Sequence, residues 1–343
     1  NNIIIIKMEV KKQSQFKTVL ADIEFIKITF QQLLKESLDL IRISAPLFLE
    51  KESGLNDDLS GYEEKVSFTF NNKVLEIVQS LAKWKRYALK KYELNGLYAD
   101  MNAIRKSEEL DNLHSIYVDQ WDWEMVIDTN KGKTKDEILV DIARIIHNNI
   151  YNLERLYWNM KKEKQDIVNI PNENEMIKKE LYIISSEELL NMYPNLSSND
   201  REREICKKYG SVFIKQIGKK LSNNTVHDLR APDYDDWEYN GDLIYWSNIL
   251  NGPIELSSMG VRVNKESLIK QLEICNSTER LKLPYCKMLL NNELPETIGG
   301  GIGQSRLCML ILRKEHISQV QCSYWDEKGD YRRYFIIFLK KIL

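Results

Sequence analysis

From Phe16 to about Ile41 the apolar residues Val19, Leu20, Ile23, Ile26, Phe30, Leu33, Leu34 and Leu38 recur three and four positions apart, which predicts a long amphipathic helix. Pro46, in the following ISAPLFLE stretch, cannot continue it. Beyond a polar loop (residues 51–64), KVSFTF and VLEIVQS read as strands turning at Asn71-Asn72. LAKWKRYALKKY predicts a basic helix that Ser80 could cap. HSIYVDQWDWEMVI alternates as a strand does, and a second long helix is expected from about Lys133 to Lys164. Its exit, KKEKQDIVNIPNENE, is the most loop-like segment of the chain.

The second half predicts a strand at YIISS, short helices at EELLNMY and NDREREICKKY, a strand at SVFIKQI and a polar loop up to Asn240. DLIYWS and PIELSSMGVRV read as paired strands joined by NILNG, and KESLIKQLEIC as a helix. A glycine-rich turn then leads into a last helix. Strands joined mostly by short turns, with helices collected between groups of them, predict an α+β fold built on a mainly antiparallel sheet.

Composition narrows the picture. A chain of 343 residues with 43% hydrophobic and 29% charged positions can bury a large core. Its net charge of -2 and pI near 6.2 argue against a broad basic face for nucleic acid. No run approaches 18 apolar residues, and the four isoleucines near the start are too few for a signal or a membrane span, so neither a membrane nor an oxidising compartment is expected. The five cysteines show no C-x-x-C and the four histidines no H-E-x-x-H, so a zinc site of neighbouring ligands is not expected either.

The candidate chemistry starts at TIGGGIGQSRL. Four of the chain's 14 glycines fall within five positions there, and Arg306 follows in the opening turn of the last helix. No Lys makes it a P-loop, and the dinucleotide spacing fails at Gln304 and Arg306. Two readings stay open: a packing turn, or a close approach to an anion beside a helix N-terminus and an arginine. In VDQWDWE, alternation puts Gln120, Asp122 and Glu124 on one strand face and Asp119, Trp121 and Trp123 on the other. RAPDYDDWE packs four acids around two aromatics, most simply as a solvated turn, with a metal or ammonium site as the other reading. Asp242 falls at a strand start. Glu255 and Ser257 fall on one face of the next strand, where Gly260 suggests a bulge before Arg262. Lys83, Lys85 and Arg86 are consecutive helix cations, an ordinary solvent face unless an anion is bound.

The strings NDDLSG, VQSLAKWKR, HSIYVDQWDWE, HDLRAPDYDDW, NGD, ELSSMGVRV and ETIGGGIGQSRL resemble, in order from about Phe16 to Val320, the ammonia-dependent asparagine synthetases, or aspartate–ammonia ligases. That resemblance implies a catalytic domain like that of class II aminoacyl-tRNA synthetases, spanning 16–325 as a single unit; 1–15 and 326–343 match poorly and receive no role. It implies ATP-dependent amidation of L-aspartate by ammonia to L-asparagine, AMP and pyrophosphate through a β-aspartyl adenylate. It also implies Mg²⁺, a cytoplasmic location and a homodimer formed around the region of Pro46.

By the same resemblance Arg105 and Arg306 would hold ATP, with Asp242, Glu255, Ser257, Gly301 and Gly303 as further nucleotide contacts and Asp242 and Glu255 on the metal. Asp57, Ser80, Lys85, Gln120, Asp122 and Arg262 would form the aspartate pocket. Asp122 or Asp235 would attract and deprotonate ammonium. The chain departs from the pattern in two places: only two residues separate Trp237 from Asn240 where bacterial members carry a longer loop, and Asp58 stands where asparagine is common. A tRNA-charging synthetase and a silent amino-acid sensor are the rival readings. The sensor would be expected to lack Arg105, Glu255 or Arg306, and all three are present. A glutamine-using enzyme would need an N-terminal cysteine, and the first here is Cys206.

Overall fold

The computed structural model describes residues 2–59, 63–129, 132–164 and 170–325. Residues 165–169 of the expected loop after the second long helix, residues 60–62 and the tail 326–343 lie outside that set.

Eight strands form the main sheet: β1 (Ile41–Arg42), β5 (Gly96–Ile104), β6 (Tyr117–Val126), β7 (Tyr182–Ser185), β8 (Ser211–Lys215), β9 (Asp235–Ser247), β10 (Gly252–Arg262) and β11 (Thr297–Gly303). Their spatial order is β1-β5-β6-β11-β10-β9-β8-β7. Pairing is antiparallel except at the two edges, β1 with β5 and β7 with β8. A small antiparallel sheet, β2-β4-β3, is made of β2 (Phe48–Glu50), β3 (Ser67–Phe70) and β4 (Lys73–Ile77). Asn71 and Asn72 both adopt positive φ between β3 and β4, the backbone that a tight two-residue hairpin needs.

One face of the main sheet is closed by three helices, α1 (Asn2–Ser37), α3 (Lys135–Glu163) and α8 (Gln304–Ile311). Ile26, Phe30 and Leu34 of α1 and Leu139, Ile146 and Leu153 of α3 meet Trp121 and Trp123 of β6 in one core. Phe30 packs on Trp121 with ring centroids 5.0 Å apart. α1 stops four residues before Ile41 because Asp39 turns the chain at positive φ. α3 begins with a reciprocal cap between Thr134 and Glu137, which satisfies backbone donors that the first helical turn leaves open. On the other face stand α2 (Ala82–Tyr92), α6 (Lys265–Ile274) and α7 (Pro284–Leu290), with a 3₁₀ turn over Thr278–Lys282. α4 (Ser186–Met192) and α5 (Ser198–Tyr209) pack at the β7 edge.

Three sequence expectations change. The glycine run is a strand, β11, hydrogen-bonded on both sides between β6 and β10. GLYADMNAI, for which the sequence analysis expected no element, is β5. The polar loop expected to reach Asn240 ends earlier, since β9 starts at Asp235 and Asp242 lies inside the strand. The two residues between Trp237 and Asn240 belong to an irregular stretch of β9, where residues 236–239 lie opposite the single residue Val261 of β10. No helix among the described residues is long and apolar enough to cross a membrane.

Candidate active site

The cleft on the α2 face of the sheet encloses about 500 Å³, and every sequence-predicted site residue lines it except Asp242 and Ser257. Its floor is the alternation read from VDQWDWE. Gln120 and Asp122 face the cleft, while Trp121 and Trp123 sit in the core behind. Asp119, on the indole side, accepts from Lys27 of α1 at 2.9 Å and from the Ser305 backbone and hydroxyl at the start of α8.

β11 answers the question posed by its glycines. A Cβ on Gly299 would fall within the Glu124 carboxylate and 2.5 Å from an Arg262 nitrogen, and one on Gly301 would collide with the Gln120 amide. On the opposite face, a Cβ on Gly300 would lie 2.7 Å from that of Met259. The strand is bare so that charged side chains from β6 and β10 can fold across it. Gly303 differs, meeting only the Arg306 side chain at ordinary contact distance.

Across Gly299 runs a buried ion network. Arg262 donates to Glu124 through Nε (2.9 Å) and Nη2 (2.6 Å) and to Asp235 through Nη1, and Thr297 donates to Glu124 at 2.7 Å. Burial pushes the Asp235 carboxyl above its ordinary value, although Arg262 opposes the shift. Beside it, Lys85 donates to Asp122 Oδ1 at 2.6 Å and to the Gly300 carbonyl at 2.8 Å. Burial lowers the Lys85 pKa against the pull of Asp122. Asp122 Oδ2 and Asp57 Oδ2 are buried and without a hydrogen-bond partner. Burial raises Asp57 to about 6, and Lys83 and the Ser80 hydroxyl hold it back from rising further. Ser80 also accepts the Ala82 N–H at 3.1 Å, at the entrance of α2.

The opposite end of the cleft is more open. Arg105 follows β5, Arg306 opens α8, and Glu255 sits near the start of β10, so strand register brings the three together. Arg306 donates to the Glu255 carbonyl at 2.9 Å, and its guanidinium stays 3.9 Å from that carboxylate. Arg105 Nε has no partner. The bulge expected at Gly260 is present, and a second lies between Glu255 and Ser257. The extra residue reverses the alternation, so Ser258 lines the cleft and the Ser257 hydroxyl is buried and unpartnered.

Asp242 lies one strand away, in β9, paired with Arg230. Arg230 lines the cleft and was missed in the sequence; its only signal was its place in the acid-rich RAPDYDDWE loop. That loop is no solvated turn: Asp233, Asp235 and Asp236 are all buried. Likewise Lys83, Lys85 and Arg86 are all buried, and Arg86 donates to the Pro295 and Val263 carbonyls at 2.9 and 2.7 Å.

The residues expected to hold a divalent cation are Asp242 and Glu255. Asp242 Oδ1 is buried without a partner, and burial, with Glu255 close by, raises its carboxyl to about 7 against the pull of Arg230. Carboxylate oxygens suit Mg²⁺ shared with a polyphosphate, although the other Asp242 oxygen is already held by Arg230. Among the described residues no group of three or more His, Cys, Asp or Glu could hold a metal unaided.

The family model for aspartate–ammonia ligase matches residues 17–332. The chain belongs to the aspartate–ammonia ligase family. An aspartate–ammonia ligase from Clostridium tetani is 48% identical over 333 residues, 95% of this chain and 94% of its own. One from Limosilactobacillus reuteri is 50% identical over 314 residues, 90% of each chain. Among solved structures, an asparaginyl-tRNA synthetase from Pyrococcus horikoshii complexed with asparaginyl-adenylate is similar with a TM-score of 0.65 at 13% identity, over 90% of this chain and 68% of that one. A putative aspartyl-tRNA synthetase from Leishmania major gives 0.63 at 13%, over 92% and 66%. At such identity these two structures show the fold alone, that of class II synthetase catalytic domains. The ligase family supplies the chemistry against which the cleft is read.

Proposed function

We propose that the chain makes L-asparagine from L-aspartate, ATP and ammonia in two steps within this one cleft. The observation that carries the reading is the pair of buried, unpartnered carboxylate oxygens, Asp57 Oδ2 and Asp122 Oδ2, beside Lys85 at one end, with Arg105 and Arg306 at the other. Glu255 and Arg262 lie seven positions apart on β10, roughly 20 Å of strand. That length accommodates an amino acid joined to a nucleotide.

Aspartate's α-ammonium meets Asp57, and Lys85 and Gln120 orient its carboxylates. Its β-carboxylate attacks the α-phosphorus of ATP; the new P–O bond forms as the bond to pyrophosphate breaks, and Arg105 stabilises the charge that develops on the phosphoryl oxygens. Arg306 lies against the nucleotide, with Gly301 and Gly303 beneath. Asp242 and Glu255 would hold Mg²⁺, which when bound supplies positive charge against the triphosphate. Ammonia then attacks the β-carbonyl of the mixed anhydride and AMP leaves with the bonding pair. Because most ammonia is protonated near neutrality, a carboxylate must draw in ammonium and take its proton. Both candidates already accept from a cation, Asp122 from Lys85 and Asp235 from Arg262; burial raises the Asp235 carboxyl, which makes it the better proton acceptor. We propose in addition a cytoplasmic homodimer. Ile41, Leu47, Phe48, Phe68 and Phe70, around Pro46 and the small sheet, expose an apolar surface that a second copy would cover.

The test is asparagine, AMP and pyrophosphate assayed together from ATP, Mg²⁺, L-aspartate and ammonium chloride. Asparagine and AMP appearing only with ammonium support the reading. Aspartate-dependent pyrophosphate exchange without asparagine would retain activation and return the tRNA-charging alternative. No aspartate-dependent turnover would sink both.

A further inference from the structure

Behind the cleft wall lies a cluster of charges that the reaction above does not use. Lys83, on the first turn of α2, is 1% exposed, and its ammonium donates to Asp233 Oδ2 at 2.9 Å. Arg280, on the 3₁₀ turn, reaches the same Asp233 oxygen at 3.3 Å and Asp58 at 3.1 Å. Asp58 also pairs with Lys65, and its backbone N–H donates to Asp57 Oδ1 at 2.8 Å. Asp57 lines the cleft, whereas Lys83, Asp233 and Arg280 do not. The chain of contacts thus runs from a cleft carboxylate, through Asp58, to Arg280, and on through Asp233, which Arg280 and Lys83 share, to Lys83.

We propose that Lys83, with Asp233 and Arg280, is the positioning element that orients the Asp57 carboxylate for the α-ammonium of aspartate and keeps it ionised, and so sets the enzyme's selection for an amino-acid substrate. This rests on the reading of Asp57 given above. Two buried acids, Asp57 and Asp233, lie close together with the half-buried Asp58 beside them, and the buried Lys83 and half-buried Arg280 make that arrangement tolerable.

The groups facing Asp57 come from several elements: Lys83 and Ser80 at the start of α2, Asp58 beside it in its own loop, Asp233 and Tyr234 before β9, and Arg280 from the 3₁₀ turn. Burial works against the Lys83 charge, but Asp233 and Asp57 outweigh it, so the lysine stays protonated. Its charge then restrains the Asp57 carboxyl, which burial alone would raise above its value of about 6. Without Lys83, Asp57 would take up a proton near neutrality. A neutral acid in that place no longer offers charge to an ammonium.

The experiment measures KM for aspartate and kcat between pH 5.5 and 8.5 for the wild type and for Lys83→Met, Lys83→Arg, Arg280→Gln and Asp57→Asn. In the wild type, KM for aspartate rises as pH falls through about 6, because protonation removes the charge on Asp57. In Lys83→Met this limb moves up by about one pH unit, so KM between the two limbs rises about tenfold, while KM for ATP and kcat at saturating aspartate change much less. Lys83→Arg restores the limb, and Arg280→Gln moves it in the same direction by less. If Lys83→Met does not fold, Arg280→Gln carries the test. A limb that stays in place in the folded variants, with or without loss of kcat or thermal stability, overturns the proposal. Asp57→Asn separates the two readings. If it leaves KM for aspartate unchanged, the assignment of Asp57 itself fails; if it raises KM while the Lys83 and Arg280 variants leave the limb in place, only the positioning role fails.

Discussion

The two ends of the cleft are built on opposite principles. At the Arg262 end nearly every charge already has a partner: Arg262 is held by Glu124 and Asp235, Lys85 by Asp122, and Lys83 by Asp233. At the Arg306 end the Glu255 carboxylate is 43% exposed, Arg306 is 23% exposed and Arg105 Nε has no partner. The first end is preorganised and dry, so a small substrate meets fixed dipoles and a wrong one leaves buried charges unsatisfied. The second is short of partners until a polyanion supplies them. On the proposed reading, selectivity and nucleotide capture are thereby separated along a single strand, β10.

Mutations can break this contrast. The largest activity loss is expected from Arg105→Ala, because on the proposed mechanism it removes a donor aimed at developing charge. A fall of about 10²–10³-fold in kcat, with pyrophosphate exchange lost alongside asparagine formation, is the expected result. Gly299→Ala attacks the closed end through stability. Its methyl would displace Glu124 from Arg262, and breaking such a buried pair costs about 3–5 kcal/mol, readable as a lower denaturation midpoint. A midpoint that stays put would show that the network can open without penalty.

Asp235→Asn should separate the half-reactions, keeping aspartate-dependent pyrophosphate exchange while asparagine formation falls steeply. Equal loss of both would make Asp235 part of activation instead. Gly301→Ala is a milder change, since the Gln120 amide is the far end of a flexible side chain and can swing. A rise in KM for aspartate of about tenfold, equivalent to about 1.4 kcal/mol, is expected with stability nearly kept. The smallest effect belongs to Ser257→Ala compared with Ser258→Ala. Only the second residue lines the cleft, so KM for ATP should respond to Ser258 and hardly to Ser257.

Where side-chain alternation was strong, the sequence was readable to the residue. Trp121 and Trp123 fall in the core and Gln120 and Asp122 in the cleft, as the period of two requires. Gly260 marked its bulge because the neighbouring Asp235 carboxylate would lie 2.8 Å from a Cβ there. What could not be read was decided by neighbours distant in sequence. β11 is rich in a residue with poor strand preference, and it is a strand because β6 and β10 supply its hydrogen bonds. The bulge at Leu256 left no glycine to announce it, so Ser257 was placed on the wrong face. Lys83 and Asp233 looked like solvent-facing charges because they lie 150 positions apart, and each cancels the other only once the chain between them has folded. The resemblance named the chemistry, but it gave no sign of this inner layer of ions.

The bare strand at the centre of the sheet also constrains how such a protein can change over time. Every replacement of glycine adds at least one carbon, so Gly299 and Gly301 have no conservative neighbour among the amino acids. A substitution at Gly299 is tolerable only if Glu124 or Arg262 shrinks first, and the shrinkage is harmful until Gly299 has changed. Each order of events passes through a damaged intermediate, so these three positions are tied together as one heritable unit. Divergence within the family is then expected to accumulate around this patch, and homologues that differ at one of the three should differ at another as well.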